Sequence, residues 1–253
     1  MPMFYPNAPG KFKNGLPTSS RKIVAIIPAR GGSKTIPRKN IKKLAGKPLL
    51  AYTAKASLDS KLLSRIILST EDEEIQQTGL NFGLEVPFTR PAKLARDDTP
   101  GLPVIQHALR TLEERENYRP DIIVVLQPTS PLRKSKHIDE ALKIFLSRDA
   151  DSLVSVTQVP HNMNPYSVMK LQEDGTVEPF LDYDENKNLR QQKPKFYARN
   201  GAAIYICTYE CLMKKNSLYG DTTLPYFMKK EESLDLDDEV DWQIAELALK
   251  KNP

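Results

Sequence analysis

IVAIIPARGGSKTIPRKN, residues 23–40, is the stretch on which the reading of this chain turns. Ile23, Val24, Ala25, Ile26 and Ile27 form an unbroken apolar run closed by Pro28, the pattern of a short buried strand ended by a breaker. A turn at Gly31 and Gly32 follows, set among the cations Arg30, Lys34, Arg38 and Lys39. Glycine lets main-chain N–H groups approach anionic oxygens, and Arg and Lys neutralise them, so the stretch suits a polyphosphate. A Walker A loop fails on spacing. Ser33 stands immediately before Lys34, where that motif needs glycine, and Pro28 stands where its first glycine belongs. Taken alone, the stretch also fits a solvated basic loop.

Working outward, PLLAYTAKASL (48–58) predicts a helix with Pro48 in its first turn. SRIILST (64–70) predicts a second strand and TEDEEIQQTGLNFG (70–83) a helix with acids in its first turn. A short strand at 85–88 leads to Arg90. Thr99 is the expected cap of a helix running to Arg115, with Pro100 in first position. DIIVVLQ (121–127) is the most strand-like run, and Ser135 is the expected cap of a helix whose apolar face is Ile138, Ala141, Leu142 and Phe145. ADSLVSVTQV (150–159) and GAAIYIC (201–207) predict further strands, and DEVDWQIAELALKK (238–251) a closing amphipathic helix. Strands alternating with helices of this length imply an α/β fold with a mostly parallel central sheet flanked by helices. Ligands in such sheets collect beyond the carboxyl ends of strands. Residues 160–198 break the alternation and predict a β-rich excursion with a hairpin about Glu173-Asp174-Gly175.

A chain of 253 residues, 40% hydrophobic and 27% charged, can bury a core as one domain, expected here over 21–253 behind a flexible Pro/Gly-rich leader at 1–20. No stretch approaches the length of a membrane span and the N-terminus lacks a secretory apolar core. Cys207 and Cys211 provide no disulfide framework and no zinc site, which suits a cytoplasmic protein. The net charge of +5 is uneven. Residues 1–58 hold twelve of the 37 basic residues and none of the 32 acidic ones, so the remainder carries net −7. That basic segment lacks interleaved aromatics for base stacking, which favours a small polyanion over nucleic acid. His107, His137 and His161 do not cluster and are expected to be structural.

ARGGSKTIPRKNI (29–41) resembles the signature of the acylneuraminate (CMP-sialic acid) cytidylyltransferases. RPAKLARDDT (90–99), LQPTSPLR (126–133), RQQKP (190–194) with RNGAAIYI (199–206), and LDLDDEVDW (234–242) match the same family in the same order. The resemblance spans roughly 23–250 and implies a Rossmann-like nucleotidyltransferase fold, with the excursion at 160–198 as a dimerisation element. It also implies transfer of CMP from CTP to an acidic nine-carbon sugar, with Mg2+ as cofactor and a homodimer as the working unit.

The resemblance places Arg30, Ser33 and Lys34 on the terminal phosphates and Lys39 on the α-phosphate, has Gly31 and Asn40 contact the nucleotide and Arg90 its cytosine end, and makes Lys39 and Arg30 the catalytic pair. It places Gln127, Thr129 and Ser130 on the sugar, although LQPTSPLR also fits a capped turn leading into a helix. Arg190 and Gln191 are implied to meet the sugar across the dimer, Arg190 at its carboxylate. Asp235 and Asp237, two apart and hence on one side of an extended segment, are the implied metal ligands, beside Asp238, Glu239 and Asp241 as cap and first-turn acids. Asn200 and Gly201 are expected to shape the site floor. The alternatives are a cytidylyltransferase for another acidic sugar, legionaminic, pseudaminic or Kdo-type, and a non-catalytic nucleotide-binding protein of the same fold.

Overall fold

The predicted strand at 23–28 lies at the heart of a mixed sheet. The structure, a computed structural model, describes residues 21–181, 194–201 and 203–251; the predicted leader at 1–20 and the site residues Arg190 and Gln191 lie outside them. In chain order the strands are β1 Ile23–Pro28, β2 Lys43–Leu44, β3 Lys47–Pro48, β4 Arg65–Ser69, β5 Ile122–Val125, β6 Ser152–Gln158, β7 Met169–Leu171, β8 Val177–Pro179, β9 Tyr197–Arg199, β10 Tyr205–Thr208 and β11 Thr223–Phe227. The helices are α1 Leu49–Leu58, α2 Glu73–Asn81, α3 Gly101–Glu116, α4 Ser135–Leu146, α5 Tyr209–Met213 and α6 Glu239–Lys251. The main sheet runs β11-β6-β10-β5-β1-β4, and β9 also pairs with β6. Strands β1, β4, β5, β6 and β11 share one direction; β9 and β10 run against them.

β1 is apolar throughout because both its faces are covered. Ile23, Ala25 and Ile27 pack with Leu50 and Ala54 of α1, Ile75 of α2, and Ile138, Ala141, Leu142 and Phe145 of α4. Val24 and Ile26 pack on the other face with Ile105, Ala108, Leu109 and Leu112 of α3 and with Cys211 and Leu212 of α5. Each such Ile or Val, fully buried, stabilises the fold by about 1.5–3 kcal/mol, so the face alternation of one strand fixes which helix lies on which side. A third cluster joins Trp242 and Ala245 of α6 to Ile36, Leu44, Leu49 and Leu236. It seats the last helix against the segment that follows β1.

Several boundaries differ from expectation for local reasons. Only one parallel bridge, Ile67 to Glu85, forms where a strand at 85–88 is predicted; Pro87 has no N–H to extend it. Pro48 holds the cap position of α1 rather than its first turn, because Lys43–Leu44 and Lys47–Pro48 close a small hairpin through Ala45 and Gly46, both at positive φ. Thr99 does not cap α3. Pro100 occupies that position, and the Thr99 hydroxyl donates to the Lys93 carbonyl at 3.3 Å. Ser135 is the first residue of α4, whose cap is Lys134, and His137 Nδ1 accepts the Lys134 main-chain N–H at 3.1 Å. The sequence pattern also misses β11. Pro225 inside it argues against a strand, yet β11 is the edge strand, where a missing donor is tolerated.

Within the excursion, β7 and β8 form the predicted hairpin, turned at Gly175 with Asp174 accepting from Thr176. β9 returns the chain to the main sheet before position 198. No helix among the described residues is long and apolar enough to cross a membrane.

Candidate active site

The carboxyl ends of β1, β4 and β5 open on one edge of the sheet, and antiparallel β10 brings the residues before Tyr205 to the same edge, beside Val125. The loop after β1 is pinned there by the Ala29 N–H, which donates to the Ser69 carbonyl at 3.0 Å. Arg30 Nη1 meets Asp97 Oδ1 at 2.5 Å, and Lys34 Nζ meets Asp97 Oδ2 at 3.2 Å. Lys34, then Arg30, holds the Asp97 carboxyl below the usual carboxylate range. Arg38 departs from the other cations. Its backbone is left-handed at φ 56°, and its guanidinium turns to Asp72 and to Glu74, 2.6 Å away, so it braces α2. Lys39 turns the opposite way and donates to the Leu236 carbonyl at 2.7 Å across 197 residues of sequence. Asn40 Nδ2 donates to the Arg30 carbonyl at 2.9 Å and closes the loop.

The second wall follows β4. Thr70 accepts the Arg90 N–H at 2.9 Å, and Glu71 accepts the Gly31 N–H and Arg90 Nη2, each at 2.7 Å. Arg90 is buried, with no partner at Nε. Burial makes its guanidinium easier to deprotonate, and the Glu71 carboxylate opposes that shift. The Gly31 N–H is thus spent on Glu71. Gly31 is glycine because a Cβ there would lie 2.5 Å from Asp72 Oδ2.

The third wall is the segment after β5. Arg133, buried, donates to the Gln127 carbonyl at 3.0 Å, the Ala203 carbonyl at 2.7 Å and Thr53 Oγ1 at 2.5 Å. It therefore sews this loop to α1 and to the segment before β10. Ser130 is buried beneath the loop with an unpartnered hydroxyl and is not in the cavity wall.

The Asp235–Asp237 segment forms the fourth side. The Leu236 N–H donates to the Thr129 carbonyl at 2.9 Å, and Gly201, at φ 61°, packs against Asp235 so closely that a Cβ would fall 2.0 Å from Asp235 Cγ. Burial, then the Asp237 charge, raises the Asp235 pKa above the ordinary carboxylate value; Thr129 and Lys39 pull it down. The Thr129 hydroxyl faces the Asp235 carboxylate, though neither it nor the buried Asp235 Oδ1 reaches full hydrogen-bond geometry. A buried, unpaired carboxylate oxygen beside a second carboxylate fits a divalent cation. No group of three or more His, Cys, Asp or Glu suited to a metal exists among the described residues. Two carboxylates alone would leave a hard cation to take its other ligands from substrate oxygens and water. Asp238 and Asp241 belong elsewhere: Asp238 Oδ1 accepts the N–H groups of Val240 and Asp241, and Asp241 Oδ2 accepts those of Asp237 and Asp238, a reciprocal cap on α6.

Arg30, Ser33, Lys34, Lys39, Asn40, Arg90, Gln127, Thr129, Asp235 and Asp237 line one cavity of about 520 Å3. Among the predicted residues described, Gly31 and Ser130 stand behind its wall. Glu71, Asp97 and Arg133 are contributors that sequence reasoning missed. Asp97 and Arg133 lie inside matched motifs, and Glu71 lies in an acidic run that reads as helix-start acids. Asn200, expected to shape the floor, accepts from Ser155 Oγ at 2.7 Å and donates to Ser233 Oγ at 3.1 Å, which carries β6 toward the Asp235 segment. The histidines are structural as expected where contacts are seen: His107 lies edge-on to Phe88 and His137 caps α4.

The solved structures that resemble this chain include a CMP:2-keto-3-deoxy-manno-octonic acid synthetase complexed with CTP, at TM-score 0.68 and 15% identity, covering 92% of this chain and 100% of that one. Another is a 4-diphosphocytidyl-2C-methyl-D-erythritol synthase from Anaerococcus prevotii, at TM-score 0.62 and 12% identity, covering 91% and 99%. At such identities the likeness is one of fold. In sequence the chain is 36% identical over 230 residues to the post-translational flagellin modification protein B of Campylobacter coli, covering 91% of this chain and 96% of that protein. It is 33% identical over 233 residues to the CMP-N,N'-diacetyllegionaminic acid synthase of Legionella pneumophila, covering 91% and 97%. It is also 35% identical over 232 residues to the N-acylneuraminate cytidylyltransferase of Escherichia coli, of whose length it spans 53%. Residues 24–244 match the family model for cytidylyltransferases, and with that match and these relatives the chain belongs to the cytidylyltransferase family of nucleotidyltransferases.

Proposed function

We propose that this chain transfers CMP from CTP to the anomeric hydroxyl of a nonulosonic acid of the sialic or legionaminic type. The hydroxyl oxygen attacks the α-phosphorus, the α–β bridging P–O bond breaks, pyrophosphate leaves and the hydroxyl proton is lost. The observation that carries this reading is the Lys39–Leu236 hydrogen bond, which joins the cationic loop to the Asp235–Asp237 segment across one cavity. Such a centre is anionic throughout, so the protein's task is positioning and charge stabilisation.

Arg30, Ser33 and Lys34 hold the terminal phosphates, with Gly31 supporting the loop from behind. Lys39 meets the α-phosphate. Asn40 fixes the main chain of Arg30, and Arg90 reads the base. Gln127 and Thr129 face the sugar with Ser130 beneath them, and Arg190 and Gln191 complete the sugar side. Asp235 and Asp237 would hold Mg2+, which would neutralise triphosphate charge and fix the nucleotide in line with the attacking hydroxyl. The test is pyrophosphate release with CTP, Mg2+ and a panel of N-acetylneuraminic, legionaminic, pseudaminic and eight-carbon acids, run in parallel with ATP, GTP and UTP. Release with a nonulosonic acid and CTP is expected; no release from any acid with CTP would sink the proposal.

Asp97 would compete with the triphosphate, because its carboxylate pairs with both Arg30 and Lys34, the cations proposed to meet the terminal phosphates. Asp97→Asn is therefore expected to tighten CTP binding about two- to fivefold, the scale of an exposed ion pair. Calorimetry without sugar reads it. Weaker CTP binding would mean that Asp97 holds the cations ready rather than competing for them.

The excursion leaves Met163, Leu171, Val177 and Phe180 at least 58% exposed, more apolar surface than a free hairpin sustains. We assign it to a homodimer contact, in a protein whose free Cys207 and Cys211 suit the cytoplasm. Leu171→Asp is expected to shift the protein from dimer to monomer in light scattering, to retain CTP binding and to lose turnover with the sugar. A wild-type monomer at micromolar concentration would end this assignment.

A further inference from the structure

We infer that Glu71 is a positioning residue that couples reading of the base to the shape of the triphosphate cradle, an inference that rests on the cavity being a CTP site. One carboxylate bridges two walls. Oε1 accepts the Gly31 N–H of the phosphate loop and Oε2 accepts Arg90 Nη2, each at 2.7 Å. The main chain beside it repeats the bridge, since the Ser69 carbonyl takes the Ala29 N–H and the Thr70 carbonyl takes the Arg90 N–H. Glu71 lies outside the cavity lining and so touches no substrate; it acts through its two partners.

The acidic run Glu71 to Glu74 thus divides its labour. Asp72 caps α2 and pairs with Arg38, Glu74 pairs with Arg38, and Glu71 ties Gly31 to Arg90. The Arg90 side chain is 3% exposed, and Glu71 is the carboxylate paired with it. That bond fixes which guanidinium donors remain for a ligand, and Nε is left without a partner. A fixed set of donors favours cytosine, which offers O2 and N3 as adjacent acceptors, over uracil, whose N3 carries a hydrogen. A guanidinium released from Glu71 can rotate, and the discrimination falls with it. The Gly31 N–H, released from the same carboxylate, frees the loop that presents Arg30 and Lys34.

Glu71→Gln keeps the shape but sets an amide where one carboxylate oxygen met a donor. Calorimetry without sugar, using CTP, UTP and inorganic tripolyphosphate, measures each arm separately. Expected for Glu71→Gln are CTP affinity reduced about tenfold, as for loss of one charged hydrogen bond, a smaller CTP-over-UTP preference, and weaker tripolyphosphate binding. Glu71→Asp, which keeps the charge but reaches one partner only, is expected to fall between. In an Arg90→Lys background, Glu71→Gln should no longer change the CTP/UTP ratio, because the base arm is already gone. A ratio unchanged by Glu71→Gln in an otherwise wild-type, CTP-binding protein overturns this inference alone. Failure of the wild type to bind CTP overturns the CTP reading with it.

Discussion

Asp235→Asn and Asp237→Asn are each expected to slow CTP-dependent pyrophosphate release about a hundredfold or more, the scale on which one transition-state charge contact acts, with the fold intact. The expected stability effect runs the opposite way from a core substitution. Asp235 sits against Gly201 with a space its own shape fills, and an amide of the same shape fits it. Burial and the neighbouring Asp237 charge already disfavour the ionised form, and Oδ1 has no donor. Removing the charge at Asp235 therefore removes an unfavourable contribution, and the melting temperature of Asp235→Asn should hold or rise, the usual trade between stability and a functional group. Asp238→Ala is the internal control. That residue caps α6, so its loss should cost about 1 kcal/mol of stability and leave the rate within a few-fold of wild type. Near-wild-type rates in both Asn variants would remove the carboxylate pair from the chemistry.

The split within that acidic cluster shows what a linear reading reaches. The choice of Asp235 and Asp237 as the metal pair rests on the family resemblance, whereas Asp238 and Asp241 as cap acids follow from their place at the start of an amphipathic helix, a local property of the chain. β1 was legible for the same reason, since a strand buried on both faces has to be apolar throughout. The edge strand β11 was not legible. Its tolerance of Pro225 depends on its edge position among the described strands, which is a property of the sheet and not of the segment. Thr99 and Ser135 are good capping residues in isolation. They are displaced by one position because the chain enters α3 through Pro100 and α4 through a main-chain bond to His137. In the site, the cations could be named from their type, but not their direction. Arg38 and Lys39 are neighbours in the same basic run, and only the left-handed backbone at Arg38 sends one to α2 and the other to the cavity. Glu71, Asp97 and Arg133 stayed hidden because each works through a partner 19 to 80 residues away.

Lys39→Ala is expected to reduce turnover about a hundred- to a thousandfold while changing the apparent affinity for CTP only a few-fold. The Lys39 ammonium donates to the Leu236 carbonyl at 2.7 Å and lines the same cavity as Arg30, Lys34, Asp235 and Asp237. On the proposed reading, Arg30 and Lys34 supply the ground-state affinity for the terminal phosphates, so removing a third cation costs little binding. The α-phosphorus is different. As the hydroxyl approaches and pyrophosphate departs, negative charge redistributes around the centre that Lys39 faces, and the contact strengthens only then. A residue that acts this way lowers kcat and kcat/KM together. Lys39→Met separates the charge from the packing of the aliphatic stem, which it keeps while losing the ammonium and its bond to Leu236. If charge at the α-phosphate is what matters, Lys39→Met falls as far as Lys39→Ala, and the variants' melting temperatures stay close to wild type. If both variants instead raise KM for CTP and leave kcat in place, Lys39 serves ground-state binding. The step at which this cavity favours the transition state would then rest on Arg30 and the Asp235–Asp237 pair.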